Sequence, residues 1–130
     1  MTRLSEVVGS LGEIGAYRIE PYRVRPEIGD EGFHLLPERP GSPDIVLVDT
    51  GVSIYISVAG SWEMDSSDAS VPEEETIAWA TSIVKAVARN GLLTKVPPWA
   101  PVGIFRETVI PSFDDQVRKR WVTWRRWLPW

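Results

Sequence analysis

Two stretches, Asp44 to Thr50 (Asp-Ile-Val-Leu-Val-Asp-Thr) and Val52 to Ala59 (Val-Ser-Ile-Tyr-Ile-Ser-Val-Ala), stand on either side of a single glycine, Gly51. Both are rich in β-branched residues, which lose rotamer freedom in a helix but pack well on a pleated surface. Gly51 is a natural turn centre, so the pair reads as adjacent antiparallel strands. In the second strand Val52, Ile54, Ile56 and Val58 share one face, and Ser53, Tyr55, Ser57 and Ala59 share the other. That period-2 alternation describes a strand buried on one side and wet on the other.

The flanking sequence supplies further elements. Leu4, Val7, Val8, Leu11 and Ile14 recur at helical spacing, with Gly15 following as a helix stop, which predicts a short opening helix. From Ala16 the pattern alternates through Tyr17, Ile19, Tyr22 and Val24, with Pro21 confining the segment to an edge or a bend. Phe33 to Leu36 is a short apolar strand, and Pro37 to Pro43 is turn chemistry. Ser61 to Val71 reads as an acidic, serine-rich loop. Pro72 then opens a long helix at the N1 position, its first turn loaded with Glu73, Glu74 and Glu75 against the positive end of the dipole. Ile77, Ala80, Val84, Val87 and Ala88 form its expected inner face, and Asn90-Gly91 closes it. Leu92 to Pro101 is a proline-rich connection, and Val102 to Ile110 a last strand.

The final thirteen residues hold four of the seven tryptophans and five of the fourteen Lys and Arg residues, with no acid, in a chain of net charge −4. Ser112 with Asp115 makes a weak capping box, and Pro129 ends the segment. Wound at about 100° per residue, Phe113, Val117, Trp121, Trp124 and Leu128 fall within roughly an 80° arc. A C-terminal amphipathic Trp-rich helix over about 112–128 is therefore expected, its seam docked on the body and its basic face outward. Trp127 and Trp130 lie off that seam. Exposed, they would join Arg125 and Arg126 in a contact surface; buried, they would fasten the terminus.

The expected fold is α+β: one domain over 1–130, mainly antiparallel sheet, with a short N-terminal helix, one long central helix and the C-terminal helix. At 130 residues and 43% hydrophobic content a real core can form. The N-terminus mixes acid and glycine into its apolar residues too early for a signal peptide, and no apolar run spans a bilayer, so a cytoplasmic protein is expected. Cysteine is absent, which removes thiolate chemistry, disulfides and Cys-based metal sites.

No catalytic residue is assigned. His34 is the only histidine and sits in Phe-His-Leu-Leu, where a structural role is the default. Gly51-Val52-Ser53 resembles half of a nucleophile elbow but joins two strands, not a strand and a helix. Gly9-Ser10-Leu11-Gly12 has neither phosphate-loop nor dinucleotide-loop spacing. Glu63, Asp65, Asp68, Glu73, Glu74 and Glu75 place six carboxylates in thirteen residues without a cation. Their spacing does not match an EF-hand, so no metal and no cofactor is expected. The strip reads as an exposed loop feeding a helix N-terminus, as a surface for a basic protein partner steered electrostatically, or as a neutraliser of the basic C-terminal helix face within the same fold.

The order of elements over roughly residues 1–95, with Gly15-Ala16-Tyr17 after the first helix and the Tyr55-containing strand, resembles the small immunity proteins that bacteria pair with polymorphic toxins. The resemblance implies a non-enzymatic inhibitor that binds a toxin domain and does no chemistry. Glu63, Asp65, Asp68, Glu73, Glu74, Glu75, Arg125, Arg126, Trp127 and Trp130 are the expected partner-binding residues. The alternative is a peripheral binder of anionic membrane or nucleic acid through the basic Trp-rich end. The sequence pI of about 5.0 counts against a dedicated nucleic-acid binder.

Overall fold

A computed structural model describes residues 3–12, 14–22, 31–66, 71–96, 107–111 and 123–130. The elements run α1 (Arg3–Gly9), β1 (Tyr17–Pro21), β2 (Glu31–Pro37), β3 (Ile45–Asp49), β4 (Ile54–Val58), β5 (Trp62–Asp65), α2 (Glu73–Asn90), β6 (Leu92–Val96), β7 (Glu107–Val109) and β8 (Thr123–Trp127). The fold is α+β, as the sequence implies. β1 to β5 form an antiparallel meander in chain order, and a second sheet has the order β7-β6-β8.

The alternation along β3 and β4 sorts the large sheet. Ile45 and Leu47 face the same way as Ile54, Ile56 and Val58, and all five are fully buried. Leu35, paired with Ile45, and Trp62, paired with Val58, extend that row across four strands. α1 and α2 pack on each other; α1 also meets β2 and β3, and α2 meets β4. From α2 the core receives Ala80, Ile83, Val84 and Val87, and from α1 Leu4 and Val7. Leu92 of β6 and Ile110 after β7 join the same cluster, so both sheets feed one core. Each fully buried Leu or Ile contributes about 1.5–3 kcal/mol by leaving water. No helix of the described residues is long and apolar enough to cross a membrane.

Several expectations need correction. The opening helix ends at Gly9; Leu11 and Ile14 follow in tight turns, donating to the carbonyls of Val8 and Leu11. Ser10 Oγ donates to the Val7 carbonyl, capturing an acceptor that another turn of helix would need. Leu11 is still fully buried, because the turns keep it on the core side. Val52 lies outside β4 and is 68% exposed, in the turn around Gly51 (φ +86°). Pro72 is the N-cap rather than the first helical residue, its carbonyl accepting from the N–H groups of Glu75 and Thr76. In α2, Ala80, Val84, Val87 and Ala88 are buried as expected, Ile77 is only partly so, and Thr76 and Ile83 complete the inner face.

The acidic segment after Ser61 is not all loop. Ala59 (φ +52°) and Gly60 (φ +66°) both adopt left-handed backbone, which reverses the chain at once and starts β5 at Trp62. Leu92 to Val96, expected as a connection, is the central strand of the second sheet. Of the last strand expected over 102–110, Glu107–Val109 is β7, and 101–106 lie outside the described residues.

The largest correction concerns the C-terminus. Residues 123–127 form β8, antiparallel to β6, with Trp127 opposite Leu92 and Arg126 opposite Leu93. The rest of the expected helix, 112–122, lies outside the described residues, Trp121 included. Tryptophan and threonine favour strands, and pairing with β6 supplies the tertiary support without which a short helix is marginal. The helical spacing in 121–128 is real as a pattern, and backbone pairing with β6 overrides it.

Candidate partner-binding site

The acidic segment folds into two arms that converge. Glu63, Met64 and Asp65 lie exposed on β5, the last strand of the large sheet. Ser66 then closes the ladder: its N–H donates to the Ile54 carbonyl (3.1 Å), and its hydroxyl oxygen accepts from the Ile54 N–H (2.8 Å). Glu73, Glu74 and Glu75 form the exposed first turn of α2, where carboxylates are stabilised by the helix dipole. Asp68 lies outside the described residues.

Between the arms is an open cleft of about 350 Å³ lined by Met64, Asp65, Ser66, Val71, Glu75, Thr76 and Trp79. That is near the low end of the roughly 300–1,000 Å³ of small-molecule pockets. Its walls are mostly apolar. Met64 is 38% exposed, unusual for a large apolar side chain, while Trp79 packs one side against the core. Asp65 and Glu75 stand at the rim, one from each arm. The sequence reading found the carboxylates and missed the cleft. Its signal was the four-residue spacing of Glu75 and Trp79, which puts a charge and an aromatic ring on one face of α2, with Val71 just before the N-cap.

The outer face of the large sheet carries a second group. His34 Nε2 lies 2.6 Å from Asp44 Oδ2, and Tyr22 presents its ring edge-on to His34 at 6.5 Å. Asp44 is diagonal to His34 across β2 and β3, a neighbour that linear inspection does not show. The nearest hydroxyl along that row, Ser57, is two strands away through Val46, roughly 10 Å by strand spacing. The pair therefore orients the ring without presenting it to a nucleophile on that row. Among the described residues no group of three or more His, Asp or Glu is arranged to hold a metal ion.

Tyr55, on the same face, has its hydroxyl pKa raised, first by burial and then by its hydrogen bond to Glu63 and the charge there. Tyr17, whose hydroxyl donates to the Val8 carbonyl, is raised by burial alone. For a group whose folded pKa is raised, the associated stability is complete below the unfolded value, near 10, and is lost as pH climbs through the folded value. Urea midpoints should therefore hold steady to about pH 9 and fall above it. Tyr55→Phe should flatten part of that fall, measured by circular dichroism from pH 8 to pH 11. An unchanged alkaline slope would remove Tyr55 from the explanation.

The basic end behaves as a fastening. Trp130 Nε1 donates to the Pro43 carbonyl (2.7 Å), its backbone N–H to Ala88 (2.8 Å), and its ring meets Tyr17 at 5.4 Å. Trp127 and Trp130 both pack against the core. Arg126 is exposed on β8, and Arg125 stands opposite Thr94 in the register. Of the expected binding residues, the structure thus gathers Asp65 and Glu75 at one cleft with Glu63, Glu73 and Glu74 beside it, and gives the two tryptophans an internal role.

The chain matches no family model, no curated protein and no solved structure.

Proposed function

We propose that this protein is a non-enzymatic binding module that receives a basic segment of a protein partner at the cleft between β5 and α2. The supporting observation is the pairing of an exposed Met64 and a half-buried Trp79 with rim carboxylates from two separate elements, Asp65 and Glu75. Methionine and tryptophan supply adaptable and rigid apolar contact area respectively, and aromatic anchors dominate binding energy where they are enclosed. The surrounding acids add long-range attraction and select against acidic partners. The resemblance to immunity proteins makes a basic toxin domain the natural partner within this reading. The rival, a surface for anionic membrane or nucleic acid at the C-terminus, is weakened because Trp127 and Trp130 are packed inward.

The test is purification from the native host, followed by charge reversal. A basic protein should accompany the wild-type chain, and Asp65→Lys with Glu75→Lys should weaken the complex by about tenfold or more, with a strong salt dependence in the wild type. Isolation without any protein partner, or a complex indifferent to both substitutions, contradicts the proposal.

A further inference from the structure

We propose that the free edge of β5 takes the partner segment as an added strand, and that this segment alternates basic and apolar side chains. The inference rests on the cleft reading above and specifies how the cleft is used.

In an antiparallel ladder, hydrogen-bonded and non-bonded pairs alternate. Ile54 and Ser66 are joined by hydrogen bonds, so Ile56 and Met64 form the next bonded pair. The pairs between them, Tyr55 with Asp65 and Ser57 with Glu63, are non-bonded. The backbone N–H and C=O groups of Glu63 and Asp65 therefore aim away from β4, toward the free edge. β5 ends the strand order, and no described strand pairs on that side.

The other edges fit less well. β1 ends in Pro21, which has no N–H, and its charges are already matched by the Arg18–Glu20 pair at 3.2 Å. β7 has three residues, and β8 carries Arg125 and Arg126 and would repel a basic strand.

Side-chain alternation sets the partner's chemistry. Glu63 and Asp65 share the outer face with Ser57 and Tyr55, while Met64 shares the inner face with Ile56 and lines the cleft. On an added strand, side chains on the outer face meet two carboxylates, and those on the inner face meet Met64, Val71 and Trp79. Cross-strand pairs of opposite charge stabilise a sheet, and like charges destabilise it. A second copy of β5 would set acid against acid, the usual protection of an exposed edge. A strand reading basic, apolar, basic is the complement, held by main-chain hydrogen bonds and sorted by alternate side chains.

The experiment uses the full chain labelled with nitrogen-15 and three capped octapeptides: alternating lysine and valine, the same composition in blocks, and the alternating peptide N-methylated along one edge. The alternating peptide should bind and slow amide exchange at Glu63 and Asp65 by about tenfold or more. Blocking the pattern or methylating the edge should weaken binding by about tenfold, as should Glu63→Lys with circular dichroism unchanged. If all three peptides bind alike, depend on Asp65 and Glu75, and leave those amides unprotected, strand addition is overturned and the cleft reading stands. If none binds at millimolar concentration, both fall.

Discussion

Gly91→Ala should be the most damaging single-methyl addition in the described structure. Gly91 sits directly after α2 at φ +72°, ψ −152°, a region in which only glycine is at ease. Its N–H donates to the Val87 carbonyl (2.8 Å), so it completes the helix while redirecting the chain into β6. A Cβ there would overlap the Trp127 carbonyl oxygen and crowd the backbone carbon of Leu128. These are main-chain atoms at the end of β8 and of the residue after it, which cannot swing aside as a side chain would. Conformational strain and overlap together should cost about 3–4 kcal/mol. A urea titration followed by far-ultraviolet circular dichroism should show the midpoint collapse. A loss below about 1 kcal/mol would mean that β8 is not held against Gly91. Gly9→Ala is the control: nothing lies near its added methyl, and Gly9 is the last residue of α1.

Trp130→Ala should rank second. The substitution removes the Nε1–H bond to Pro43, the tilted contact with Tyr17 and the packing of the indole on the core. Buried Trp→Ala changes cost about 3–5 kcal/mol, and a partly exposed ring should lose about 2–3. Trp130→Phe separates the terms: it keeps most of the apolar area and loses the hydrogen bond, for about 1–2 kcal/mol including the stranded Pro43 carbonyl. Equal losses for Ala and Phe would assign the whole effect to the hydrogen bond and contradict a packing role. A stability unchanged by either variant would return this indole to the surface.

These two expectations concern the part of the chain where sequence and structure diverge most. The residues of 121–128 carry a helical spacing, whereas Trp124-Arg125-Arg126-Trp127 places one tryptophan and one arginine at each parity of a strand. Period alone points to the helix, because the tryptophans recur every third residue. β6 decides for the strand, because its ladder takes up the backbone groups of Thr123–Trp127. Similarly, the acids of β5 and the serines flanking it point to a loop. Four residues are too few for alternation to register, and the turn at Ala59 that creates the strand uses a left-handed alanine, which composition does not announce. The His34–Asp44 pair was hidden for a different reason: its partners are ten residues apart and become diagonal neighbours only after β2 and β3 align.

What the sequence determined by itself is local. β3, β4 and α2 follow from β-branched alternation and from a helical apolar face bounded by proline and glycine, and these need no partner to be recognised. The acidic segment was equally plain as a charge pattern. Only the tertiary structure decided that its carboxylates flank an apolar cleft, because Met64 and Trp79 come from elements that meet through the packing of α2 on the sheet. It also decided the role of the tryptophans at the end of the chain. A large aromatic ring gains by burial wherever it is offered a surface, and which surface is offered depends on what the rest of the chain has already folded.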